Sequence, residues 1–145
     1  MDNIGLNERH LRIDVYALYK DLVINGRFFQ DELRTNFPED FAKGRYREEF
    51  MPITHSKSHP FDSYKSLDTN YLLPVYGCQD DCCIYIYADC KFENKTISWM
   101  GIAQDSFYFG PLKTTNHHLH WLTNFKPLHF KRKDFEHIYP TKYNF

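Results

Sequence analysis

Residues 71–102 constrain the fold more than any other stretch of the chain. They hold three runs of aromatic and β-branched residues: YLLPVY at 71–76, CIYIYADCKF at 83–92 and TISWMGI at 96–102. The first run ends at Gly77, and Glu93-Asn94-Lys95 forms a compact break between the other two. Each run is short and suits a pleated surface, so the stretch predicts an antiparallel meander. A strict period of two puts Ile97 and Trp99 on one face of the last strand, with Gly101 as a third member.

The flanking segments are read from the same signals. Residues 11–19 read LRIDVYALY, and Leu11, Ile13 and Val15 alternate with Arg12 and Asp14, which predicts a half-buried strand. Leu22-Val23-Ile24 stops at Asn25-Gly26, a strong turn signal, so a strand pair or strand–turn element is expected within 11–28. FFQDELRTNF at 28–37 places Phe29, Leu33 and Phe37 at helical spacing and predicts a short amphipathic helix ended near Pro38. Residues 41–50 predict a second helix, weakened by Gly44. Residues 51–70 read as one long surface loop, and loops of that length are often functional.

Downstream, SFYF at 106–109 reads as a further short strand and residues 113–125 as a loop carrying His117, His118, His120 and Trp121. Leu128-His129-Phe130 gives a last strand, and residues 133–139 a short helix stopped by Pro140. The expectation is one α+β domain over residues 1–145: an antiparallel meander of about five to six strands packed with two or three short helices. A chain of 145 residues can bury about 70% of its unfolded surface, enough for a core without metal or disulfide staples.

The aromatic content is high, with 13 Phe, 11 Tyr and 2 Trp. Such side chains serve either a core or an interface centre. The formal net charge of −1 speaks against a purely electrostatic nucleic-acid binder. No apolar run approaches a membrane span, and the opening MDNIGLNERH lacks a basic region followed by an apolar one. The expectation is a cytoplasmic protein whose four cysteines are reduced.

Four residue groups bear on chemistry. Cys78, Cys82, Cys83 and Cys90 have poor spacing for zinc; on one extended strand Cys83 and Cys90 would lie over ~20 Å apart at ~3.3 Å per residue. They read as structural thiols, and Asp80 and Asp81 disfavour a thiolate at Cys82. His118 and His120 would share a strand face, with His129 and Asp105 as companions only if the fold unites them. Lys126, Lys131, Arg132 and Lys133 lie among Trp121, Phe125 and Phe130, a mixture that suits single-stranded nucleic acid. The acidic pairs Glu39-Asp40, Glu48-Glu49 and Asp80-Asp81 could steer a basic partner. No phosphate-binding loop, nucleophile elbow, zinc-protease motif or calcium loop is present.

LPVYGC at 73–78, QDDCC at 79–83, the following strand, its tight turn and ISW at 97–99 form a recognisable succession. With the earlier Asn25-Gly26 turn and the later HFKRKDF at 129–135, it resembles small bacterial immunity proteins of polymorphic or contact-dependent growth inhibition toxin systems. The resemblance covers about two-thirds of the chain by order of elements and rests on Tyr76, Gly77, Cys78, Cys82 or Cys83, and Trp99. It implies a non-enzymatic protein that binds and occludes a cognate toxin, with no cofactor and no metal. Expected toxin contacts are Asp80, Asp81, Tyr85, Tyr87, Glu48 and Glu49, with the 51–70 loop. Tyr85 and Tyr87 share a strand face and serve as exposed anchors or as core. The alternatives are a single-stranded nucleic-acid-binding module using the basic–aromatic C-terminal third, and a small hydrolase using His118, His120 and His129.

Overall fold

The computed structural model describes residues 1–12, 14–41, 49–54, 64–65, 71–78, 85–105 and 119–139. Its centre is the expected meander, β6 (Tyr71–Cys78), β7 (Tyr85–Phe92) and β8 (Thr96–Asp105), paired antiparallel. On β7, Ile86, Ala88 and Cys90 face the main core, while Tyr85 and Tyr87 face a second apolar cluster. This central strand is therefore buried on both faces, and its continuous apolar character has that cause.

The meander carries two irregularities. The β6–β7 register shifts between Pro74 and Tyr76, so that Leu73, Val75 and Tyr76 all reach the main core. The β7–β8 register shifts at Met100, because Cys90 pairs Trp99 while Asp89 pairs Gly101. This second bulge overturns the expected face of Gly101. Ile97, Trp99 and Ile102 enter the main core, and Gly101 turns to the other side, under the ring of Trp121. One extra residue moves every later side chain of the strand to the opposite face.

Among the described residues, short strands complete a seven-stranded sheet of order β10-β8-β7-β6-β4. β10 (Leu128–Lys131) and β9 (Leu119–Trp121) pair successive parts of one edge of β8. β4 (Phe50–Pro52) and β5 (Tyr64–Lys65) likewise pair with β6. The segment 51–70 is thus not one loop, since it contributes to two edge strands. Pairings of two or three residues are too brief to leave a periodic pattern. The expected strand at 106–109 lies outside the described residues.

A second sheet packs beside the first: β1 (Ile4–His10), β2 (Leu18–Ile24) and β3 (Arg27–Phe28). Here the strand expected from the sequence is displaced. Residues 11, 12 and 14–17 belong to the connection between β1 and β2 rather than to a strand. Asp14 Oδ1 accepts from Tyr16 N–H at 3.0 Å, and Leu11 N–H donates to Ala17 O at 3.0 Å. The local Asp turn wins over the apolar alternation. The Asn25-Gly26 turn is present, with φ of 53° and 81°. That left-handed pair matches the twist of a tight hairpin.

α1 (Phe29–Asn36) buries Phe29 and Leu33, as their spacing predicts, and also Gln30, which the spacing does not predict, with Asp31 and Glu32 in its first turn. It is followed by α2 (Pro38–Phe41), and α3 (Arg132–Ile138) closes the core with Phe135 and Ile138. Of the expected helix over 41–50, Phe41 ends α2 and Phe50 begins β4, while residues 42–48 lie outside the described residues. Trp99 sits where these elements meet, its ring 5.1 Å from Phe130, 5.6 Å from Phe29 and 6.1 Å from Phe135. Tyr139 Oη donates to Val75 O, the carbonyl of the β6 bulge, at 3.1 Å. Asp2 joins the two sheets, donating through its N–H to His129 O and accepting the His129 N–H on Oδ2, both at 2.7 Å.

Candidate functional site

Three groupings of polar side chains have the density to be a site. The first lies inside. Asp21 is fully buried. Its carboxylate accepts four hydrogen bonds, from Leu22 N–H, Gln30 Nε2, Arg9 Nη1 and Tyr76 Oη, at 2.7 to 3.0 Å. Burial nevertheless raises its pKa above the ordinary value, against the lowering effect of those bonds. Burial also pushes the Tyr76 and Tyr19 phenols up, helped by the charge of Asp21. Arg9 further pairs with Asp31 at 3.1 Å and lies 4.2 Å over the Phe28 ring. Filled acceptors and no access make this a structural network joining β1, β2, α1 and β6.

Glu49 belongs to the same end of the molecule. It is buried, and its Oε1 accepts the Arg12 N–H at 2.5 Å, fixing the β1–β2 connection. Tyr85 and Tyr87 are also buried, packed with Leu72 against Ile53, Leu119 and Trp121. They are core rather than exposed anchors. Asp80, Asp81 and Glu48 lie outside the described residues.

The histidines form the second grouping, and the fold separates them. Asp40 Oδ1 lies 2.6 Å from His120 Nε2, whereas His129 Nδ1 lies 2.8 Å from Ser98 Oγ. On β8, Gln104 opposes His120 and Ser98 opposes His129. The two histidines thus pair with β8 at positions six residues apart, on the order of 20 Å along an extended strand. Ser98 is buried, and Asp2 binds the His129 backbone rather than its ring. No serine–histidine–aspartate relay arises there. His117, His118 and the side chain of Asp105 lie outside the described residues. Among those residues no cluster of three or more metal-ligating side chains occurs. Cys90 is a buried thiol whose pKa burial raises well above its ordinary value; Cys82 and Cys83 lie outside the described residues.

The basic–aromatic segment does not make a continuous face either. Phe130 is fully buried. Arg132 is bound to Glu136 Oε1 at 2.6 Å and to Glu93 O at 3.0 Å. Lys126 points elsewhere, into the third grouping.

That grouping is an open cleft of about 880 Å³ between α1 and α2 on one side and residues 123–128 on the other. Phe29, Leu33, Phe37, Phe125 and Leu128 give it an apolar floor. Glu32, Glu39 and Asp40 line the helical wall, and Arg27 and Lys126 are the lining cations. Its residues fold there for local reasons. Pro38 begins α2, whose first turn carries Glu39 and Asp40, while Asn124, at φ 63°, lies in the facing turn. Glu39-Asp40 is legible in the sequence as an acidic pair. Its opposite wall lies some eighty residues away, and no local pattern announces the pairing. A separate group of exposed apolar side chains, Leu6, Val15, Tyr16 and Leu18, lies on the β1–β2 hairpin.

No helix among the described residues is long and apolar enough to cross a membrane. Compared with known proteins, the chain matches no family model, no curated protein and no solved structure.

Proposed function

We propose that this chain is a binding protein, without catalytic activity of its own, that neutralises a cognate bacterial toxin by covering its active site or substrate-binding surface. A contrast within the molecule carries the reading. The buried Asp21 carboxylate has its accepting positions filled by Arg9, Gln30, Tyr76 and Leu22. The cleft beside α1 and α2 is instead open, aromatic at its floor and charged at its rim. An apolar centre with a charged surround is the composition of a recognition surface. The Tyr16 side chain, 92% exposed at the hairpin end, adds a second apolar contact.

The class of partner comes from the resemblance of residues 73–99 to immunity proteins, and a cytoplasmic setting belongs to the same reading. Occlusion requires a rigid presenter, and the Asp21 network supplies rigidity directly beneath the hairpin. The test is affinity capture with the tagged protein from its own cells, with and without nuclease, read by mass spectrometry. A stoichiometric partner that survives nuclease and forms the C-terminal part of a large exported protein is the expected result. Recovery of RNA or DNA, or of no partner, overturns the reading.

A further inference from the structure

The charged groups around the cleft beside α1 and α2 differ in what they have left to offer. Glu32 binds Arg27 at 3.2 Å, and Asp40 lies 2.6 Å from His120. Glu39 is engaged as well. Of the charged side chains lining the cleft, Lys126 alone has no partner among the described residues. It stands on the connection from β9 to β10, where Thr123 and Asn124 add uncharged donors to the same wall. Phe125, between them, has its ring centroid 6.5 Å from that of Phe37 on the opposite wall. The carboxylates of the helical wall are thus occupied, and the facing turn holds the open cation. An apolar body gains by leaving water for half-buried rings, and a carboxylate gains a charge-assisted hydrogen bond from an ammonium. An incoming cation finds no open acceptor here. Ligand pockets commonly measure about 300–1,000 Å³, mostly apolar with a few polar groups that fix orientation. At about 880 Å³ this cleft has that size and that lining.

We propose that the cleft is a binding site for a small amphipathic organic anion, an aryl- or alkyl-carboxylate. Its apolar body lies against Phe37, Phe125 and Leu128, and its carboxylate accepts from the Lys126 ammonium. The single open charge fixes the direction of the ligand, with the carboxylate toward the turn and the body toward α1. The inference goes beyond the inhibitor reading, because it concerns a ligand of this chain alone. A toxin that covers the same cleft competes with that ligand.

The experiment titrates the ¹⁵N-labelled full chain with phenylbutyrate, with its neutral amide phenylbutanamide and with the cation phenylbutylamine. Phenylbutyrate is expected to shift the amides of Phe37, Asn124, Phe125 and Lys126 saturably, and to leave that of Leu22, beside the buried Asp21, in place. Lys126→Met keeps the apolar stem and removes the charge. It should weaken phenylbutyrate binding by about tenfold, the worth of one hydrogen bond to a charged group. The same spectrum shows that the variant is folded, and the neutral and cationic analogues test the charge on the unaltered protein. Silence at the cleft amides, equal affinity for the amide or the amine, or unchanged affinity in Lys126→Met overturns the inference. So does a cleft that answers a short leucine–glutamate peptide and not phenylbutyrate, because its occupant is then a protein segment. Capture from cells decides the inhibitor reading separately. A captured toxin with a silent cleft removes only this inference. A responsive cleft with no captured toxin removes the inhibitor reading and leaves the anion site.

Discussion

Gln30 and Phe50, twenty residues apart, are joined by two hydrogen bonds: Gln30 Nε2 donates to Phe50 O at 2.9 Å, and Phe50 N–H donates to Gln30 Oε1 at 3.1 Å. A side-chain amide thus stands where a neighbouring strand would, at the start of β4. The same amide nitrogen also serves Asp21 at 2.7 Å. Gln30→Leu keeps volume but strips the donor and acceptor from two buried backbone groups. The expected loss is about 2–6 kcal/mol in urea unfolding, at about 1–3 kcal/mol per orphaned group. A loss below about 1 kcal/mol would show that water or a rearranged backbone replaces the amide.

Asp2 and Asp21 should tilt stability in opposite directions with pH. Bonding to the His129 N–H lowers the Asp2 pKa, so its contribution is present above the ordinary value of 3.8 and lost as pH falls through the depressed one. Burial raises the Asp21 pKa. Its contribution is fully present below 3.8 and lost as pH rises through the higher folded value. Relative to Asp21→Asn, the wild type should therefore gain stability on acidification toward pH 4. Relative to Asp2→Asn it should lose stability as the pH drops below about 4. Chemical denaturation across pH 3 to 8 measures both differences, and matching slopes for the two variants would refute the assignment.

Trp99 and Tyr16 mark the extremes of side-chain environment. Trp99 is fully buried among Phe29, Phe130, Phe135 and Tyr139. Trp99→Ala should cost about 3–5 kcal/mol or prevent folding. Tyr16→Ala should stay within about 0.5 kcal/mol of the wild type. A thermal melt of the Tyr16 variant displaced by many degrees would mean that this side chain is covered in the folded protein.

Tyr85 and Tyr87 should behave as packing residues in the second cluster. Tyr85→Ala should lower the unfolding midpoint by an amount equivalent to about 3–5 kcal/mol, as for other large aromatic truncations. Once a partner is captured, its affinity for the folded fraction should be unchanged. An intact fold with weakened binding would return Tyr85 to the interface.

The meander is legible in the sequence because β7 needs apolar side chains on both faces, and it therefore reads as a strand without knowledge of its neighbours. β1 is hidden for the opposite reason. IGLNERH is mostly polar, and it is a strand because Ile4 and Leu6 oppose Ile24 and Leu22 on β2. Its Arg9 is tolerated there because Asp21 and Asp31 receive it. Local alternation in residues 11–15 points to the wrong segment, since Asp14 bends the chain before the pattern can pair. The Gly101 face depends on a bulge, a property of two strands together that one strand's periodicity cannot encode. In the cleft, Phe37 and Phe125 each read as ordinary apolar positions, and their facing one another is a product of the tertiary fold.

The seam between Asp2 and His129 has a consequence for the order of synthesis. The β1–β2 hairpin leaves the ribosome early, yet the strand that anchors its beginning is translated more than a hundred residues later. Until then Leu22 and Ile24 have no completed core to enter, because Trp99, Phe130 and Phe135 are still to come. Folding of the first hairpin onto the large sheet must therefore wait until the segment that holds Phe130 and Phe135 has been made, and closure over so long a loop is slow. Until that segment emerges the nascent chain carries an uncovered apolar ribbon, and that interval is when it most needs a chaperone.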